Sequence, residues 1–227
     1  MDYLLNYGLL ILGILITLGA QAFIKLTYNK YKKVRNVSNI KGYEMARYIL
    51  DKHNMSNVKV VKVSGELTDH YDPTSKVVRL SESIYDSNTI AAIAVAAHEC
   101  GHAIQDKEGY LMMRIRSLLV PVVNLSSYAG YLAITIGALA SLTKLIWIGI
   151  YCELAIVLFH LVTLPVEIDA SRRGLKELKN NDRVDSSEYS GSLVMLIAAA
   201  STYLAAVITA LLEALRLILM FTGKDRD

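Results

Sequence analysis

Cysteine is scarce: the chain of 227 residues has two, Cys100 and Cys152, and neither has an evident mate. That excludes the disulfide framework that holds small secreted domains together. Excess charge of one sign is also missing, because 24 Lys and Arg against 21 Asp and Glu leave only +3. A balance so near neutral gives no reason to expect nucleic acid as a partner; the basic residues are explained by membrane topology and an anionic inner leaflet. There is no internal repeat and no low-complexity stretch. Nor does any Lys or Arg precede the first apolar run, which begins after Met1-Asp2-Tyr3. Ala20-Gln21-Ala22 has the small-x-small form of a signal-peptide cleavage site, but the basic residues Lys25, Lys30, Lys32, Lys33 and Arg35 follow the run instead of preceding it. A retained anchor with its N-terminus outside is therefore expected.

Apolar residues are abundant. They make up 53% of the chain, and the mean hydropathy is +0.35, more than a water-facing domain of this size usually carries. They are concentrated in four blocks, near residues 7–26, 118–142, 145–164 and 193–221, each long enough for the roughly 20 residues a helix needs to cross hydrocarbon. The last three carry Gly, Ala, Ser and Thr, which let helices approach closely in lipid. The expected fold is a predominantly α-helical polytopic membrane protein with four transmembrane helices and a small α+β module.

By alternation, residues 27–117 and 165–191 lie inside, while a Thr143-Lys144 turn and the tail 223–227 lie outside. The inner loop carries Arg172, Arg173, Lys176, Lys179 and Arg183, whereas the outer turn has only Lys144, as the positive-inside bias requires. The expected divisions are an anchor at 1–27, a cytoplasmic-side module at 28–117, two spans at 118–164, an inner segment at 165–191, a fourth span at 192–222 and the tail. Within the spans, Glu153, Glu213 and Arg216 are ionisable, and an ion pair between Glu153 and Arg216 is expected, with an ion pathway as the alternative.

In the inner module, Gly42 to His53 has helical apolar spacing, while Val58–Val63 and Lys76–Leu80 read as strands of a small antiparallel sheet or hairpin. Lys76–Leu80 is read either as a free edge for an extended substrate or as a purely structural strand. A helix capped by Ser87 or Asn88 then runs into AAHECGHAIQ, residues 96–105. On a helix His98 and His102 lie about 40° apart and can reach one ion, while Glu99, rotated about 100°, stands beside it as a general base. This is the HExxH arrangement of metalloproteases. Cys100 is turned away.

Two crossings after the motif, PVEIDASRRG (165–174) returns to the same side, so Glu167 is the preferred third ligand, with His160 as its competitor. Asp169 is expected either to orient a histidine or to pair with Arg173 at i,i+4. His70, Tyr71, Arg172 and Arg173 are the candidates for stabilising an oxyanion. Two imidazoles and a carboxylate point to zinc.

The three stretches HECGHAIQ, GELTDHYDPTSKVVRLSESIYDS and LPVEIDASRRGLKEL together resemble the bacterial membrane-bound neutral zinc metallopeptidases, the YugP-like family. The resemblance covers almost the whole chain. It implies a zincin-like module and a zinc-dependent endopeptidase of the gluzincin kind, with one Zn²⁺ per chain held by His98, His102 and Glu167, and Glu99 as the base. It further implies a multi-pass protein of the bacterial plasma membrane with its active site on the cytoplasmic side, acting on protein or peptide substrates. The layout is more distantly similar to HtpX and CAAX-type membrane proteases, in which an aspartate follows the third-ligand glutamate by four positions; here that position is Ser171. A non-catalytic metal-binding regulator and a metal transporter are the alternatives.

Overall fold

The computed structural model describes residues 3–222, so the expected outer tail at 223–227 lies outside the described residues. Ten elements follow one another: α1 (Tyr3–Tyr31), α2 (Gly42–Lys52), β1 (Lys59–Val63), β2 (His70–Asp72), β3 (Val77–Ser81), α3 (Glu82–Tyr85), α4 (Ile90–Glu108), α5 (Leu111–Leu139), α6 (Thr143–Lys179) and α7 (Ser186–Thr222). Four of them, α1, α5, α6 and α7, are long and apolar enough to cross a membrane. The protein is a predominantly helical polytopic membrane protein with a small sheet, as its composition requires.

The chain divides into two compact units. One comprises Met1–Gln21, Leu111–Pro165 and Thr202–Asp227, and the other Ala22–Tyr110 and Val166–Ser201. In the first, Ile146, Ile150 and Leu217 form a buried cluster, and Val157 packs with Ala210 and Ala214. Small residues set the helix spacing here: Gly13 lies against Thr209, whose hydroxyl meets that of Thr17 at 3.2 Å. The expected pair between Glu153 and Arg216 is replaced by a local one. Arg216 binds Glu213, one turn away on the same helix, with Nε to Oε2 at 2.8 Å and Nη2 to Oε1 at 2.5 Å. A three-residue spacing on one helix already presents both groups to each other, so no second helix is needed.

The second unit contains the sheet and α4. The sheet has three strands in the order β1-β3-β2, with β1 parallel and β2 antiparallel to β3. It is therefore mixed, and the strand expected to offer a free edge is the central one. Val77, Val78, Leu80 and Ser81 are all buried, and β3 is paired along both sides, so no extended substrate can add to it. The edge beside it belongs to β2, whose three residues are too few to show an alternation in sequence.

Thr89, rather than Ser87 or Asn88, caps α4: its hydroxyl accepts from the Ala92 N–H at 3.3 Å. Ser87 instead meets the Thr89 hydroxyl at 3.1 Å, which extends the cap backwards. Gly109, at φ 68°, ends the helix in the left-handed conformation that glycine adopts without a Cβ clash. The face-independent burial of α4 explains its composition. Ala91, Ala92, Ala94, Ala96, Ala97, Cys100 and Ala103 are all fully buried, so neighbours on every side demand small side chains.

The helix of the third span does not stop at Pro165. Proline removes one backbone N–H, but α6 continues through it for 14 further residues, to Lys179. Such interruptions are tolerated in membrane helices because neighbouring groups satisfy the freed backbone. Glu167 therefore lies on the same continuous helix, two residues past the proline.

Candidate metal centre

Two glycines allow α4 and the end of α6 to approach almost backbone to backbone. A Cβ on Gly101 would collide with the carbonyl oxygen of Ala170, and one on Gly174 would stand 2.6 Å from that of Ala97. At so short a separation the carboxylate of Glu167 reaches the imidazoles of α4 directly. His98 Nε2 lies 3.3 Å and His102 Nε2 3.4 Å from Glu167 Oε2. Among the described residues these three are the group of donors fit to hold a metal, with all ligand atoms within 4.8 Å of one another. Their side chains are 13%, 9% and 3% exposed, so bulk water does not compete strongly for them.

The far nitrogens of both rings are occupied. His98 Nδ1 is 3.1 Å from the Ser171 hydroxyl, and His102 Nδ1 is 3.0 Å from Gln105 Oε1. Gln105 Nε2 donates to the carbonyl of Val166 at 2.8 Å and to Asp169 Oδ2 at 2.9 Å. Both of those partners only accept, which fixes the amide with its oxygen towards His102. Because that oxygen cannot donate, His102 Nδ1 carries the hydrogen, which leaves Nε2, facing Glu167, as the ring atom that can bind a metal.

Zinc fits the donor set. Bonds of about 2.0–2.1 Å meeting near tetrahedral angles set donors about 3.3–3.4 Å apart, and imidazole with carboxylate is a common catalytic combination. His98, His102 and Glu167 are thus a donor set suited to zinc.

Glu99 follows His98 on α4 and is buried. Burial pushes its carboxyl up to about 7; His98 opposes the shift, and the carboxylates of Glu167 and Asp69 add to it.

The other residues singled out in the sequence are placed as follows. Asp169 accepts from Gln105 and, at 2.5 Å, from Arg173 Nε, so it reaches His102 through an amide and also forms the i,i+4 pair. Arg173 is further held by Glu108 at 2.5 Å, and Arg172 is exposed. The Tyr71 hydroxyl donates to Asp106 at 2.7 Å, and exposed His70 has Nδ1 2.8 Å from the Thr68 carbonyl. His160 belongs to the other unit and is not one of the grouped donors. Cys100 is turned away, with Sγ towards the Ala46 carbonyl at 3.5 Å, and burial pushes its thiol up. Gln105 and Ser171 have site contacts that were not expected from sequence. Their signals were spacing alone: i+3 from His102 and i+4 from Glu167.

Residues 6–222 match the family model described as "Putative neutral zinc metallopeptidase". The chain belongs to this zinc metallopeptidase family. The chain is also similar to "Putative membrane protease YugP" of Bacillus subtilis (strain 168), at 43% identity over 209 residues, covering 92% of this chain and 93% of that protein. No solved structure matches. Membership makes zinc the cofactor of this chain, and His98, His102 and Glu167 are a group of donors that could hold it; the four apolar helices accord with the relative's description as a membrane protease.

Proposed function

We propose that this protein is a gluzincin-type metalloendopeptidase of the cell membrane, cutting peptide bonds of membrane or membrane-adjacent proteins from the cytoplasmic side. The observation that carries the reading is the meeting of Glu167 with His98 and His102, with Glu99 buried beside them.

His98, His102 and Glu167 would hold zinc, which when bound supplies Lewis-acid polarisation of a carbonyl and lowers the pKa of water to about 7. Glu99 takes the proton of the attacking water and delivers it to the leaving amine. A carboxyl raised to about 7 is poised for both transfers at neutral pH. Gln105 and Ser171 orient the two imidazoles, and Asp169 steadies Gln105.

The test is metal content together with degradation of an unfolded test protein. Wild type is expected to hold about one zinc per chain and to cleave, and Glu99→Gln to keep the metal and lose at least ~100-fold in turnover. Undiminished cleavage by Glu99→Gln would remove it from the reaction, and a metal-loaded wild type that cleaves nothing would favour a non-catalytic regulator. A cysteine placed between residues 184 and 191 is expected to react only with reagent supplied on the cytoplasmic side; labelling from outside would invert the topology.

A further inference from the structure

Within the unit built from the apolar helices, α1, α6 and α7 line an open cavity of about 370 Å³. Its lining is unlike that of a lipid-filled gap. Thr17 and Gln21 come from α1, Glu153 and His160 from α6, and Glu213 from α7. Glu153 and His160 are seven residues apart, so they stand on one helix face two turns from each other.

The charges in this cavity do not balance. Arg216 is committed to Glu213 by its two hydrogen bonds. Glu153 makes no hydrogen bond or close ion pair to any described residue and shares the charge of Arg216 with Glu213, so two acidic groups of the cavity face one guanidinium. It is also deep: Glu153 lies 11 residues before Leu164, which at about 1.5 Å per residue is some 16 Å from the inner end of the apolar block. A carboxylate in hydrocarbon without a partner is costly, and such residues ordinarily face another charged or polar group.

We infer that this cavity is an intramembrane recognition site for a Lys or Arg side chain carried on the transmembrane segment of a substrate protein, with Glu153 as its counter-ion. This rests on the reading of the protein as a protease of membrane proteins, and it names a feature of the segments it selects. A dissolved small cation would have to shed its water to reach mid-membrane. A basic residue on a transmembrane segment is already there, at a cost of its own, and pairing with Glu153 relieves both costs together. Gln21, Thr17 and His160 add neutral groups that accept hydrogen bonds from an ammonium or guanidinium.

The experiment uses the full chain bearing Glu99→Gln in lipid vesicles, so that binding is read without turnover. The probe is a 21-residue Leu/Ala peptide with a photo-crosslinker beside its central residue, which is Lys, Leu or Glu. The Lys peptide is expected to label the cavity helices at least ~5-fold more than the Leu peptide and the Glu peptide less than either. Glu153→Gln should abolish this preference and Glu153→Asp restore part of it. Equal labelling by the three peptides, or a Lys preference that survives Glu153→Gln in a variant still holding zinc, overturns the assignment. Loss of zinc by Glu153→Gln would mark a folding defect; the decision then passes to Gln21→Leu and Thr17→Val, which are expected to weaken the Lys preference and overturn the assignment if they leave it intact. Cleavage of an unfolded protein by wild type is scored separately, so absent turnover counts against the protease reading and the peptide preference against this site.

Discussion

The ring of His102 is locked to Gln105: Nδ1 donates to Oε1 across 3.0 Å, and the amide cannot turn over because its nitrogen serves Val166 and Asp169. One glutamine thus determines which imidazole nitrogen faces Glu167. The consequence is a centre that is organised before metal arrives, with the Nε2 lone pair already aimed.

Gln105→Ala should therefore weaken zinc binding without removing any ligand. Groups that orient ligating histidines typically contribute 10–100-fold to affinity, and a loss in that range is expected in a competition titration with a chromogenic chelator. Asp169→Asn should cost less, because the Val166 carbonyl still holds the amide. Unchanged affinity in Gln105→Ala would show that the helix alone sets the ring.

The approach of α4 to α6 is equally open to test. Gly101→Ala drives a methyl group into the Ala170 carbonyl, a backbone atom that cannot rotate aside. Overpacking of this kind costs about 1–3 kcal/mol, and the relief available is to move α6 outwards, which carries Glu167 from the histidines. Lower thermal stability and lost zinc are expected together. Gly8→Ala is the control, since a Cβ there meets nothing within 4 Å; it should retain both properties.

Much of this site was legible because its chemistry needs fixed spacings. His98, Glu99 and His102 declare themselves on any helix, and the alanines around them announce burial. Glu167 was found by counting membrane crossings, which is topology and not local pattern. Gln105 and Asp169 were harder: a glutamine three residues past a histidine has no distinctive signature, and only the fold shows that its amide bridges α4 to α6. Ser171 has no pattern of its own in the sequence, and the structure gives it a histidine to touch. The strand order failed for a physical reason. β3 and β1 both alternate or run apolar, but pairing between strands is decided by partners distant in sequence, and β2 is three residues long.

The assignment of the third ligand separates two residues seven apart on one helix. Glu167→Ala removes the carboxylate oxygen that both imidazoles face, so zinc content should fall from about one to near zero per chain after dialysis against a weak chelator. His160→Ala should retain zinc at the wild-type level, because His160 lines the cavity among the apolar helices. Metal loss in His160→Ala with retention in Glu167→Ala would reassign the ligand.

The last prediction concerns pH and the sheet. Asp69 accepts from the Ser81 N–H at 2.7 Å and from the Ser81 hydroxyl at 3.1 Å, tying the segment before β2 to the end of β3. Burial pushes its carboxyl up from the ordinary aspartate value, and the two Ser81 hydrogen bonds only partly oppose this. A folded value above the unfolded one means that folding favours the protonated acid. The associated stability is full below the unfolded value, near 4, and disappears as pH rises through the raised folded value. Asp69→Asn keeps an acceptor for the Ser81 N–H and carries no charge to desolvate, so it should lack this dependence. As pH rises from about 4 through the raised folded value, the wild-type denaturation midpoint should fall relative to that of Asp69→Asn, measured in the same detergent by near-ultraviolet circular dichroism. Parallel midpoints across that window would mean that the Asp69 carboxyl titrates alike in the folded and unfolded chains, and that the Ser81 hydrogen bonds fully offset its burial.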